Sequence, residues 1–128
     1  MKDVGKADEL EDLLSRWQTA NVERLSATLH RDFVAFGCEE GLFIHADGPT
    51  FLCWARRSSL SSAVAAKIGW CDVHGALATA SLIQESPDSV RMIVLTMLKS
   101  SEGWRVMTAT FSVIDVASSN VALQVAVN

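Results

Sequence analysis

No tyrosine occurs among the 128 residues, prolines number two and cysteines three, and each scarcity removes a class of explanation. Without tyrosine there is no phenolic proton donor, so acid chemistry built on that group is excluded. Cys38, Cys53 and Cys71 are odd in number, widely spaced and contain no C-x-x-C pair, which argues against a disulfide framework and a structural zinc site. They read instead as small, inert hydrophobes. The three histidines, His30, His45 and His74, fall in separate segments with no H-x-x-x-H spacing, so no metal ligand set is expected. The eleven basic residues are scattered, Arg56-Arg57 is the one adjacent pair, and the formal net charge is -4. Nucleic acid is therefore not an expected partner, because neutralising phosphates needs a basic groove. No apolar run reaches membrane-spanning length, and Met1 to Glu9 lack the apolar core of a signal peptide. The expectation is a cytoplasmic, reducing setting with no membrane partner. Glycine-rich phosphate loops, G-x-S-x-G elbows and dinucleotide fingerprints are missing too, so no cofactor is expected.

What remains is a chain of one domain, residues 1–128, large enough to bury a core without staples. Its mean hydropathy of +0.22 leans apolar for this size, and surplus apolar surface ends in an interface or a pocket. Leu10, Leu13, Leu14 and Trp17 recur at helical spacing within Ala7 to Thr19, which predicts an amphipathic helix. Asn21 offers a cap for a second helix that carries Val22, Leu25 and Leu29 and ends near His30-Arg31. Phe33 to Phe36 and Leu42 to His45 flank the Gly37 to Gly41 bend as a small hairpin. Asp47-Gly48-Pro49 is a helix start, since proline fits the first turn, and this third helix would turn Phe51, Trp54 and Ala55 inward.

Ser58 to Ser62 reads as a loop. Four strands then follow, near Ala63–Val73, Ala76–Gln84, Val90–Lys99 and Trp104–Val116, with turns at His74-Gly75, Glu85 to Ser89 and Ser100 to Gly103. Met92, Val94 and Leu98 alternate with Ile93, Leu95 and Met97, a pattern of a central strand covered on both faces. Residues 117–128 read as an added strand or a tail.

The order of elements resembles the nuclear transport factor 2-like superfamily, in particular its lumazine-binding-like and polyketide cyclase-like branches. The resemblance is carried by Trp17 with Asn21 to Leu25, by Leu29 to Phe33, by the passage from Gly41 through His45 to Phe51, by Asp72 to Ala78, and above all by Leu95 to Val106. It implies an α+β fold in which three N-terminal helices pack on a strongly curved antiparallel sheet, a cone or cystatin-like α+β roll around a pocket. Members often place an aspartate early in the penultimate strand and a lysine in the last, where this chain has Ile93 and Ala109. Steroid isomerase-like members use a tyrosine, so that mechanism does not transfer.

Catalysis has two weak candidates. Glu39 near the hairpin bend would abstract protons if aimed into an apolar cavity, which raises a carboxylate's pKa, but adjacent charges between Gly37 and Gly41 read first as a solvated turn. His45 is the other, since an imidazole can serve as acid, base or hydrogen-bond donor, although a lone histidine at a strand end is commonly structural. Trp17 and Trp104 read as core, Trp54 as a cavity wall and Trp70 as part of an interface. The expected pocket wall is Phe36, His45, Trp54, Met97 and Phe111, for a small apolar or aromatic ligand. An apolar outer sheet face predicts a homodimer. The leading expectation is a small-molecule-binding domain with no assignable reaction. The alternatives are a cyclase-, isomerase- or dehydratase-type enzyme and a partner-binding dimer with a vestigial pocket.

Overall fold

In the computed structural model the described residues are 2–19, 22–39, 41–57, 66–85 and 89–115, without the side chains of 2–8, 39, 57, 89, 114 and 115. The expected second-helix cap at Asn21, Glu40, the Ser58 to Ser62 loop and residues 117–128 lie outside them.

Helix α1 spans Lys2–Thr19 and buries Leu10, Leu13, Leu14 and Trp17, the predicted stripe. Helix α2, Val22–Ser26, buries Val22 and Leu25 and stops earlier than expected. Thr28 is the reason: its backbone N–H (2.9 Å) and its hydroxyl (2.7 Å) both donate to the Leu25 carbonyl and close the helix. The hydroxyl also accepts the Trp17 indole N–H at 2.9 Å, locking the turn under α1. His30 and Arg31 consequently belong to strand β1, Leu29–Glu39, and not to a helix end.

Strand β2, Leu42–Asp47, completes the hairpin, with Gly41 at its tip in the left-handed region (φ 78°). Helix α3, Gly48–Arg57, starts where Asp47 Oδ1 accepts the Thr50 N–H at 3.0 Å, a side-chain N-cap. The remaining strands are β3 (Lys67–His74), β4 (Leu77–Glu85), β5 (Ser89–Ser100) and β6 (Gly103–Asp115).

The six strands form one sheet in the order β2-β1-β6-β5-β4-β3. Every neighbouring pair is antiparallel except β1 and β6, which run parallel from Val34 opposite Thr108 to Cys38 opposite Ser112. The expectation of a purely antiparallel sheet is corrected at that seam. Irregularities in β1, in β3 at Gly69 and between β5 and β6 bend the strands, as bulges do, and the sheet curls around the helices.

Alternation along each strand separates two faces. The inner face carries Phe33, Ala35, Ala80, Leu82, Ile93, Leu95, Met97, Val106, Ala109 and Phe111, all buried against the helices. Trp17, Phe33, Phe51 and Trp54 join this core as an aromatic chain with Phe51 at its centre, 5.8, 5.3 and 5.9 Å from the other three rings. The opposite face of β5 leaves Met92 and Leu98 exposed within the single chain, so that strand is covered on one face and not on both. The cysteines also differ from expectation: all three are free and exposed. Partial desolvation and the neighbouring Asp72 charge push the Cys71 thiol up, away from the reactive thiolate. Among the described residues no helix is long and apolar enough to cross a membrane.

Candidate functional site

The strand register decides which candidate residues can meet. Phe36 pairs with His45 across β1 and β2, and their rings stack at 5.0 Å with an interplanar angle of 11°. Both lie on the outer face, alternating with the inward Ala35 and Ala46, and His45 is exposed. Phe43, 72% exposed, extends this aromatic strip toward the hairpin tip, 6.5 Å from Phe36. Trp54, Met97 and Phe111 lie on the inner side. The five expected wall residues therefore divide between the two faces, and Phe36 and His45 cannot line a hollow under α3. Glu39 ends β1 opposite Leu42.

On the inner side, the Trp54 ring on α3 stacks on Phe111 of β6 at 4.9 Å and 23°. Phe111 reaches that position because Gly37 stands opposite it in the parallel pair, and a Cβ at Gly37 would overlap the phenyl ring. The Arg91 guanidinium lies 5.8 Å from the Trp54 centroid, a cation over an aromatic face. Arg91 also donates to Gln84 Oε1 (3.3 Å), its partner in the antiparallel β4–β5 register.

Arg91 is 6% exposed and Gln84 8%. A guanidinium so far from water needs acceptors and an aromatic face to offset its desolvation, and it brings charge-assisted donors to an otherwise apolar wall. Ile93 and Ala109 are buried on the same face. The wall thus combines stacked aromatic rings and aliphatic side chains with one cation and one amide. Among the described residues it offers no carboxylate or imidazole poised over that wall for proton abstraction.

A separate cleft of about 320 Å³ opens at the other end of β6, between α1 and the β5–β6 turn. It does not reach Trp54 or Phe111.

Residues 7–112 match the family model described as "Putative lumazine-binding". The chain belongs to that family. Three solved structures of nuclear transport factor 2-like proteins superpose on nearly the whole of it. The protein from Silicibacter pomeroyi is 13% identical with a TM-score of 0.68, covering 88% of this chain and 97% of that one. The protein from Methylobacillus flagellatus is 19% identical with a TM-score of 0.69, covering 89% and 94%. Both are described as of unknown function. A third, from Novosphingobium aromaticivorans, described as having a cystatin-like fold, is 17% identical with a TM-score of 0.62, covering 95% and 90%. At these identities the likeness is one of fold, so the chain has a nuclear transport factor 2-like fold. A search of curated proteins returns no match.

Proposed function

We propose that this domain binds a flat small molecule on the inner face of its curled sheet, against Trp54 and Phe111, with no resident cofactor and no reaction of its own. The observation that carries this reading is the Trp54–Phe111 stack with Arg91 beside it. Flat rings gain most from aromatic faces, and a buried guanidinium selects a ligand edge with carbonyl or anionic acceptors. Lumazine, which the family's description names, is a fused flat heterocycle with carbonyl acceptors and has that chemistry. Met97, fully buried on the same face, stands opposite Val106, four residues along β5 from Ile93, the partner of Phe111, and so lies beyond the two rings.

Calorimetric titration of the protein with lumazine tests this reading. Saturable binding in the wild type that weakens about tenfold in Trp54→Leu, the equivalent of losing one good aromatic contact, is the expected result. Absence of saturable binding for lumazine and for other flat bicyclic heterocycles would overturn it.

The outer face supports a second element of the proposal, a homodimer. Trp70, Leu77, Met92 and Leu98 are exposed on strands β3, β4 and β5, and apolar side chains spread over a sheet face are what an isologous interface covers. The three unpaired cysteines favour a reducing compartment, in keeping with a cytoplasmic protein.

A further inference from the structure

The cleft between α1 and the β5–β6 turn has a chemistry unlike that of the aromatic wall. Glu9, Asp12 and Arg16 of α1 face Glu102, Trp104 and Arg105 across about 320 Å³, a volume in the range of small-molecule pockets. Two nitrogens at this cleft are buried donors. The Trp104 indole is 6% exposed, and its Nε1 has no acceptor among the described residues. Arg16 Nε is buried as well. It stands 3.1 Å from Asp12 Oδ2, yet it has no hydrogen-bond partner, so that contact is an ion pair without a directed bond.

A buried N–H left without an acceptor is costly, which makes it an informative feature of a native site. Around these donors stand carboxylates. Glu9 and Glu102 are exposed, and Glu9 Oε2 lies 3.9 Å from where a Cβ at Gly103 would stand, so its negative charge closes on the turn. Arg105 does not cancel that charge by a salt bridge within the described residues, and its Nη1 instead donates to the Trp104 carbonyl at 2.8 Å.

Buried donors beneath exposed carboxylates are complementary to a molecule with an anionic acceptor at one end and a cation at the other. We propose that this cleft is a second ligand site, taking a small zwitterion of the α-amino-acid class. The ligand carboxylate accepts from Trp104 Nε1 and Arg16, while its ammonium lies between Glu9 and Glu102. Neither a simple anion nor a simple amine satisfies both halves of the cleft.

The test follows the four indole N–H resonances of the full chain by proton–nitrogen correlation NMR, Trp104 being identified as the signal lost in Trp104→Phe. Free leucine is titrated first, then N-acetylleucine, leucinamide, acetate and methylamine. The expected result is a saturable downfield shift of the Trp104 signal with leucine. Affinity should be about tenfold weaker for each blocked or single-charge probe, and weaker to a similar degree in Glu102→Gln. Trp104→Phe removes the donor together with the five-membered half of the buried indole, so it should lose leucine affinity and, through the cavity it leaves, some thermal stability as well. An unmoved Trp104 signal at millimolar leucine, or acetate or methylamine binding as tightly as leucine, would overturn the proposal. The wild-type series decides the matter even if Trp104→Phe fails to fold. Lumazine binding at Trp54 is independent of every outcome.

Discussion

Gly37 and Phe111 occupy one space: the ring of the second lies where the side chain of the first would be, across the parallel seam of β1 and β6. The Trp54 stack rests on that ring, so the candidate wall depends on a residue that never touches a ligand.

Gly37→Ala should therefore cost about 1–3 kcal/mol of stability, the usual range for overpacking a well-filled core. The urea midpoint measures this, and lumazine affinity should fall with it, because Phe111 is displaced from beneath Trp54. Phe111→Leu introduced into Gly37→Ala should recover part of the stability by making room. An unchanged midpoint in Gly37→Ala would mean that the ring is not seated there.

Asp47 gives a pH-dependent signature. Hydrogen bonds from the Thr50 side chain and backbone N–H hold its carboxyl below the ordinary value of 3.8. Since the folded value lies below the unfolded one, the contribution is present above the unfolded value and disappears as pH falls through the folded value. Stability measured by urea at stepped pH should decline more steeply below about pH 4 in the wild type than in Asp47→Asn, which cannot titrate there. Superimposable profiles would remove the cap from the stability of α3.

The outer face yields a prediction about assembly. Light scattering coupled to size exclusion should report a dimer for the wild type and a monomer for Trp70→Glu combined with Met92→Glu, with unchanged secondary structure, because like charges on an apolar isologous patch are repeated in the partner and repel. A wild type that stays monomeric at every concentration would reject the dimer.

Local signals in the sequence carried much of the fold. The Leu10 to Trp17 stripe, the Asp47-Gly48-Pro49 start and the turns at Gly75 and Gly103 each depend on neighbours within a few positions, and each appears where the pattern puts it. The division of β1 between faces was not legible. Phe33 and Phe36 are three apart, so one strand must send them to opposite sides. Which one goes inward is decided by the pairing with β6, where Ala35 meets Ala109 and Gly37 meets Phe111. Arg91 and Gln84 are illegible in the sequence for a similar reason. A single arginine and a single glutamine have no spacing to read until the β4–β5 register sets them side by side. The early end of α2 turns on Thr28, whose hydroxyl serves both Leu25 and Trp17, a contact across the chain that no helical periodicity encodes.

The parallel seam has a kinetic meaning as well. Val34 must find Thr108, so the opening hairpin and the closing strand stay without their mutual partner until almost the whole polypeptide is available. Loop-closure entropy has to be met before that pairing returns anything, which makes folding slow for the chain's size and strongly cooperative, and leaves the edge of β1 open to mispairing on a nascent chain.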